Sequence, residues 1–201
     1  MEFQFIAGDP ALDLVNTVDW TGQGLAKERL TDFGGLTRWA EGAGVVSRRD
    51  GTRLRRMAQS KPQEARVAYR RAKLVRGVLQ RLFGSLAEGR PDPIALEQFN
   101  RLLGRALEQM EVIPSRRTPS RSERFQLGWK GREERLDSIV WPVLWSAASL
   151  LASDELFQVS VCGGPDCGWM YVDRSRNGLR RWCQMETCGT REKSRRRRVS
   201  K

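Results

Sequence analysis

Histidine is absent from this chain of 201 residues. Histidine is the side chain that most often serves as a general acid or base near neutral pH, and it is a frequent ligand of catalytic metal ions. Its absence removes most of the support for an enzyme. The sequence therefore favours a function other than catalysis.

Long apolar runs are also missing from the sequence. No stretch approaches the roughly 20 apolar residues that a membrane helix needs, and the N-terminal stretch lacks the basic and apolar segments of a secretion signal. We therefore expect a cytoplasmic protein without a membrane partner. Hydrophobic residues make up 39% of the chain, which suffices for the core of one domain and a small additional module.

Basic residues exceed acidic ones by 36 to 24, which gives a formal net charge of +12. The excess is concentrated in residues 47–90, with thirteen basic and three acidic side chains, and in 162–201, with eleven and four. Such an excess favours a polyanionic partner, either a nucleic acid or an anionic surface. A charge run can also be a solvated helix face, so the block at 47–90 is weaker evidence for such a partner.

Helical periodicity dominates the first 155 residues. Thr31 and Asp32 mark a helix start, and Asp92 followed by Pro93 marks another, because these residue types favour the first positions of helices. A long amphipathic helix is predicted from Pro62 to Leu86, with an apolar stripe formed by Val67, Leu74, Val75, Val78 and Leu82. After Pro93, a second long helix is predicted, because apolar residues continue at helical spacing: Phe99, Leu102, Leu103, Ala106 and Met110.

A short strand is predicted at Phe125–Trp129, before an apolar helix over 137–152 that Pro142 interrupts. Four side chains of that helix are predicted to lie in the core: Trp141, Trp145, Leu150 and Leu151. The predicted fold class is mainly α with short β elements.

The four cysteines lie near the C-terminal end with the spacing C-x4-C-x15-C-x4-C: Cys162, Cys167, Cys183 and Cys188. Two close pairs at this separation are typical of a tetrahedral zinc site with four sulfur ligands. Structural disulfides and free buried thiols are the alternatives. The absence of a secretion signal favours zinc, as does a segment too small to build its own core. Four sulfurs leave no open coordination position, so we predict one structural Zn²⁺.

Both cysteine pairs end in Cys-Gly, at Gly168 and Gly189. Glycine allows a positive φ after each ligand, which turns backbone N–H groups toward the sulfur. A strand-like WMYVD, a turn and a C-terminal helix predict a treble-clef-like zinc finger. We place the helical N-terminal domain at 1–155 and the finger at 156–201.

The C-terminal element after Cys188 is strongly basic. Because the four consecutive arginines from Arg195 to Arg198 surround a helix, the element suits contact with phosphates in a DNA groove. There are two alternatives: the element binds DNA or RNA without specificity, or it is a solvated tail. The predicted DNA contacts are Arg180, Arg181, Arg191, Lys193, Arg195, Arg196, Arg197 and Arg198. Arg180 and Arg181 could instead compensate the negative charge of the zinc site.

The cysteine segment resembles the CGNR zinc finger. The residues that support the resemblance are Asp173, Ser175, Arg181-Trp182-Cys183, Cys188-Gly189, Arg191 and Lys193. Residues 12–17, with the sequence LDLVNT, and Leu74-Val75-Arg76 resemble the ABATE domain that precedes this finger. The resemblance implies a bacterial, stress-induced transcription regulator whose finger binds DNA and whose N-terminal domain senses a ligand or stress.

Thr190 stands where the finger's signature has asparagine. A threonine can cap the start of a helix, but it cannot offer a bidentate amide to adenine. Thr190 therefore joins the candidate DNA contacts, either as a base-reading position or as a cap.

Four polar residues of the N-terminal domain are candidates for binding a small-molecule effector: Asp13, Asn16, Thr17 and Arg29. The alternative is that they serve local capping and turn hydrogen bonds. A homodimer would suit a regulator, although the sequence shows no heptad pattern.

The leading hypothesis is a zinc-dependent, DNA-binding transcription regulator. An RNA-binding or ribosome-associated zinc protein and a zinc-thiolate redox sensor are the alternatives. Loss of one cysteine ligand is expected to unfold the finger and leave the helical domain folded.

Overall fold

The computed structural model describes residues 3–21, 24–114 and 125–199. It is mainly helical with short strands, as the sequence predicts. In the N-terminal half, the elements are α1 (Pro10–Val15), β1 (Val18–Thr21), β2 (Gly24–Glu28), α2 (Phe33–Gly42), α3 (Arg48–Ser60), α4 (Pro62–Ala87) and α5 (Pro93–Leu107). They are followed by β3 (Met110–Pro114), β4 (Phe125–Trp129), α6 (Trp141–Leu151), β5 (Val159–Val161), β6 (Met170–Val172) and α7 (Thr190–Val199). The strands form three antiparallel pairs: β1 with β2, β3 with β4, and β5 with β6.

Helix α4 is the centre of the fold, packing against α1, α2, α3 and α5. Its buried face differs from the predicted stripe, because Val67 is 51% exposed and Leu74 is 55% exposed. The helix instead buries a line of small residues together with larger ones nearer its end: Ala65, Ala68, Ala72, Val75, Val78, Leu79, Leu82 and Phe83. Small side chains let the neighbouring helices approach closely, which explains why the alanines and not the two larger residues face the core.

The predicted helix starts are confirmed by their caps. The Asp32 side chain accepts a hydrogen bond from the Gly35 N–H at 2.7 Å, and Asp92 accepts from the N–H groups of Ile94 and Ala95. These bonds satisfy backbone donors that the first turn of a helix leaves free.

Two boundary predictions and one burial prediction were wrong. The helix predicted over 137–152 begins only at Trp141, after a 3-10 helix at Leu136–Val140. Pro142 therefore lies in the first turn of α6, where proline loses no helical hydrogen bond. Trp141 is buried, whereas Trp145 on the same helix is 40% exposed. Met110 does not extend α5, because that helix ends at Leu107 and Met110 begins β3.

The β5–β6 hairpin packs into the main core. Val159, Met170 and Val172 belong to the same buried cluster as the side chains of α1 and α4. The hairpin therefore shares its hydrophobic core with the helices, across the division predicted at residues 155 and 156. Within the described residues, no helix combines the length and hydropathy of a membrane span.

Candidate metal centre

The four cysteine sulfurs converge on one point, all within 4.8 Å of one another. The Sγ atoms of Cys167 and Cys183 are 3.6 Å apart, and those of Cys183 and Cys188 are 3.5 Å apart. A disulfide needs an S–S distance of about 2.05 Å, whereas tetrahedral zinc with Zn–S bonds of about 2.3 Å separates its sulfurs by about 3.8 Å. The cluster therefore fits four-coordinate zinc, and all four thiols are free.

Each cysteine is placed by a different piece of local structure. Cys162 directly follows β5, and its N–H donates to the Trp169 carbonyl at 2.7 Å. Cys167 closes the turn that leads to β6, Cys183 ends the loop after β6, and Cys188 lies in the helical turn Met185–Gly189 that runs into α7. The last ligand is thus attached directly to the basic helix.

The two Cys-Gly glycines differ in their roles. Gly168 has a φ of 64°, as predicted for a glycine after a ligand. Gly189 does not have a positive φ, because it continues the helical turn into α7. It is needed for space: a Cβ there would lie 2.3 Å from Met185 Sδ and 3.1 Å from Trp182 Cδ1.

Backbone donors and neighbouring thiols favour a negative sulfur at Cys162. Its Sγ accepts hydrogen bonds from the N–H groups of Cys183 at 3.2 Å and Gly164 at 3.4 Å. The neighbouring Cys167 and Cys183 thiols contribute most to holding the pKa of Cys162 below its ordinary value, and these backbone donors add to the effect. The interaction with Cys162 is in turn the main cause that raises the pKa values of Cys167 and Cys183. A bound Zn²⁺ would compensate the negative charge that the four ligands acquire.

Two arginines beside the cluster have different surroundings. The Arg180 guanidinium donates to the Trp182 carbonyl at 3.0 Å and the Cys183 carbonyl at 2.6 Å, and it lies 4.0 Å from the Tyr171 ring centroid. Arg180 therefore stabilises the loop that positions Cys183. Arg181 is exposed, with its guanidinium 5.2 Å from the Trp182 ring centroid.

The signature residue Asp173 organises the same loop. Its buried carboxylate accepts hydrogen bonds from the N–H of Ser175 at 2.9 Å and the N–H of Arg180 at 2.8 Å. Hydrogen bonding to Ser175 is the main cause that lowers the pKa of Asp173. The loop between β6 and Cys183 is thus held by a fixed carboxylate.

Helix α7 presents its cationic side chains to solvent. Arg191, Lys193, Arg195, Arg196 and Arg197 are all exposed. The buried Glu192 accepts from Arg195 Nε at 2.8 Å and Arg196 Nε at 2.9 Å, and these bonds lower the pKa of Glu192 to about 2. The side chain of Arg198 lies outside the described part of the structure.

Thr190 does not cap α7 in the usual way. Its hydroxyl donates to the Met185 carbonyl at 3.1 Å, and the helical turn Met185–Gly189 continues into α7. The start of α7 is fixed by the turn that contains Cys188.

Asn16 and Asp13 connect the two parts of the chain. The Asn16 amide donates to the Met170 carbonyl at 2.8 Å and accepts from the Met170 N–H at 2.9 Å, so it pairs with β6 as a strand would. Asp13 accepts from the Ala7 N–H at 3.0 Å, and the Ala7 carbonyl accepts from the Val172 N–H at 2.8 Å.

Thr17 and Arg29 are also bonded within the protein. The Thr17 hydroxyl accepts from Arg76 at 3.0 Å, and the buried Arg76 pairs with Glu28 at 2.6 Å. Arg29 makes three hydrogen bonds with Asp19, and its guanidinium lies 5.2 Å from the Trp169 ring centroid. Apart from the Leu74-Val75-Arg76 resemblance, no sequence pattern pointed to the Arg76–Glu28 pair. Effector binding at Asp13, Asn16, Thr17 and Arg29 stays a prediction.

The fold and the cysteine cluster define a zinc-finger protein with a helical N-terminal domain. Residues 8–154 match the family model of ABATE, whose description is "putative stress-induced transcription regulator", and residues 158–200 match that of the CGNR zinc finger. The chain belongs to the ABATE family and ends in a CGNR finger with a single structural zinc ion. Comparison with curated proteins gave no match. The two matching families are regulatory and zinc-finger families, not enzyme families.

Proposed function

We propose that this protein is a zinc-dependent regulator that binds DNA through α7, with Cys162, Cys167, Cys183 and Cys188 as the zinc ligands. The observation that supports the proposal most directly is the position of α7, whose first residue follows Cys188 by two positions. A metal ion held by the four sulfurs would fix both the start and the direction of this helix. In this role zinc is structural, since four sulfur ligands leave no site for a substrate.

The exposure of α7 suits a nucleic-acid groove. It has six basic side chains against one acidic one, and in the part of the helix whose side chains are described, Glu192 is the buried residue. A helix without an apolar packing face is poorly suited to a protein core. It is well suited to insertion between phosphate backbones, where every side of the helix meets negative charge.

The cations of α7 divide into two groups. Arg195 and Arg196 already pair with Glu192, whereas among the described residues no ion pair involves Arg191, Lys193 or Arg197. We assign the main phosphate contacts to Arg191, Lys193 and Arg197. Arg195, Arg196 and Arg198 are assigned further contacts. Thr190 is the first residue of α7 and Arg181 lies in the loop before Cys183, and both are further candidate contacts. Arg180 acts indirectly by holding that loop.

The salt dependence of binding tests this assignment. Replacing Arg191, Lys193 and Arg197 with alanine removes up to three phosphate contacts, so the slope of log K against log salt should fall by roughly 2 to 3 units. Replacing Arg81, Arg101 and Arg105, which lie between α4 and α5, removes the same charge elsewhere and serves as the control. Equal effects of the two triple variants would refute a DNA-contacting α7.

Competition distinguishes regulation from RNA binding. Genome-wide recovery of DNA bound to the reduced, zinc-loaded protein should yield a shared sequence motif, and bulk RNA should compete poorly with a duplex containing it. Equal binding to every DNA sequence and to RNA would instead support the RNA-binding or ribosome-associated alternative.

A zinc-thiolate redox sensor is the second candidate, because Cys167 is only half buried. It borders a cleft of about 310 Å³ that Arg29, Asp166 and Arg191 also line. An oxidant could reach the Cys167 sulfur through this cleft. Release of zinc by peroxide together with a change in DNA affinity would favour this candidate, and retention of zinc would refute it.

A further inference from the structure

A second cavity lies far along the chain from the cysteines, between the start of α2 and the facing sides of α3 and α4. Its volume is about 680 Å³, within the range of roughly 300 to 1,000 Å³ that is typical of small-molecule sites. We infer that this cavity binds a small amphipathic carboxylate, with an apolar body on the cavity floor and the carboxylate at a rim of arginines.

The floor of the cavity is apolar and is part of the packed core. Phe33 and Ala65 are buried side chains of the main core, and Ala58 packs against the same core. The Tyr69 hydroxyl donates to the Leu30 carbonyl at 2.6 Å, which fixes its ring at the cavity wall. A hydrocarbon or aromatic ligand body would therefore meet a preformed apolar surface and leave water there.

The rim of the cavity is positively charged. Arg55, Arg66 and Arg70 line it together with the acidic Asp32. Asp32 is engaged in capping α2, and Arg55 pairs with Glu41 at 2.8 Å. Within residues 3–21, 24–114 and 125–199, no ion pair or side-chain hydrogen bond engages Arg66 or Arg70. Both arginine side chains are thus available to an incoming anion.

The combination of floor and rim determines the ligand class. Arginine binds a carboxylate through paired N–H donors, and the apolar floor excludes a ligand that is polar throughout. Arg66 and Arg70 are four residues apart on α4, so their side chains lie on one face of the helix. A single carboxylate on an apolar body of roughly eight to ten carbon atoms matches a cavity of this size.

A short segment joins this cavity to the finger. Thr31 and Asp32 line the cavity, and two residues before Thr31 the Arg29 guanidinium lies against Trp169 beside the metal centre. Tyr69, on the cavity wall, bonds to Leu30 between them. A ligand that shifts this segment would act on the finger, so the carboxylate is the effector class for the proposed regulator; this regulatory part rests on the proposed function.

Calorimetric titration of the full-length, zinc-loaded protein tests the site without DNA. The probe is 4-phenylbutyrate, and its uncharged control is 4-phenylbutyramide. We expect saturable binding of one carboxylate per chain and at least tenfold weaker binding of the amide. Replacing Arg66 and Arg70 with glutamine should weaken carboxylate binding roughly tenfold to a hundredfold, because a charged hydrogen-bond partner is lost.

Two further variants separate the site from general surface charge. Arg101→Gln with Arg105→Gln removes two arginines from the groove between α4 and α5 and should leave binding unchanged. Ala58→Trp retains the arginines but fills the cavity, so it should abolish binding while the thermal transition shows a folded protein. No saturable binding, equal binding of the amide, or an equal loss in the control pair would overturn the site.

The effector role has its own measurement. Saturating 4-phenylbutyrate should change the dissociation constant for DNA in the wild type and not in the Arg66/Arg70 variant. Saturable ligand binding with unchanged DNA affinity would overturn the effector role and leave the proposed DNA binding intact. Ligand binding by a protein that binds no DNA would support the site and refute the proposed function.

Discussion

At the scale of single residues, Asp13 combines burial with a negative charge. Its side chain lies in the first turn of α1 and is among the buried polar groups. Removal from water raises the pKa of Asp13 from 3.8 to about 6, although hydrogen bonds from the backbone of Ala7 and Ile6 oppose the shift. The protonated carboxyl is therefore better suited to this site than the carboxylate.

The raised pKa predicts how Asp13 affects stability. The protonated side chain contributes stability that is fully present below about pH 4 and is lost as the pH rises through about 6, because the folded state then gives up a proton that it held more tightly. Asp13→Asn should therefore increase the free energy of unfolding relative to wild type by up to about 3 kcal/mol at pH 7.5 and by little at pH 4. Urea unfolding across this pH range gives the difference, and a pH-independent difference would contradict the prediction.

Asn16 provides the most direct polar link between α1 and the finger. Asn16→Ala would leave the buried Met170 N–H and carbonyl without their partners, which costs about 1 to 3 kcal/mol for each group. We expect a loss of roughly 2 to 4 kcal/mol in denaturant unfolding. Asn177→Ala changes the same residue type at an exposed position in the finger and should have little effect; equal losses would argue against a special role for Asn16.

At the scale of elements, the turn between the first two cysteines leaves no room for a side chain at Gly164. A Cβ there would lie 2.9 Å from Cys188 Cβ and 3.0 Å from Cys188 Sγ. Any side chain would press the first turn of the finger away from the turn that precedes α7. The close approach of these two turns is what brings four sulfurs to one point.

Gly164→Ala should weaken zinc binding at least tenfold, which corresponds to about 1.4 kcal/mol of strain. Competition with a chromophoric chelator measures the affinity. Gly77→Ala in α4 is the matched control, because a Cβ there meets no described atom within 4 Å apart from its chain neighbours and its own helix backbone. Alanine should stabilise the helix by about 0.5 to 1 kcal/mol. Unchanged zinc affinity in Gly164→Ala would mean that the two turns can separate without loss of the site.

At the scale of the whole molecule, the finger and the helices share one core. Val159, Met170 and Val172 pack with residues of α1 and α4, and backbone and side-chain hydrogen bonds join Ala7 and Asn16 to β6. This packing changes the expectation that the finger unfolds alone. We now expect the loss of zinc to destabilise the helical part as well.

Cys167→Ser should lose stoichiometric zinc and lower the midpoint of a single, cooperative thermal transition of the whole chain. A loss of about 5 kcal/mol, less than structural zinc contributes in isolated fingers, lowers the midpoint by roughly 10 to 20 °C in a chain of this size. Wild type treated with a chelator should behave in the same way. Two separate transitions, one at the wild-type temperature, would show that the helical part is independent of the finger.

The sequence predicted most accurately the features that depend on residues close together in the chain, such as the starts and ends of helices. The starts of α2 and α5 follow from their caps at Asp32 and Asp92. The helix predicted from Pro62 to Leu86 agrees with α4, which ends one residue later. Helix α3 was not predicted. Among its thirteen residues Gly51 and Leu54 are the buried ones, so it lacks a clear apolar stripe. The exposed Val67 and Leu74 show that periodicity locates a helix more reliably than it identifies the buried face.

The sequence by itself determined the zinc chemistry, because two close pairs of cysteines at this spacing are typical of a tetrahedral zinc site with four sulfur ligands. Only the tertiary structure decided how that centre is joined to the helices. The Asn16 amide bonds to Met170 across 154 positions of sequence, and Arg29 lies against Trp169. Such contacts leave no periodic or spacing signal, because they depend on which surfaces meet once apolar groups are buried.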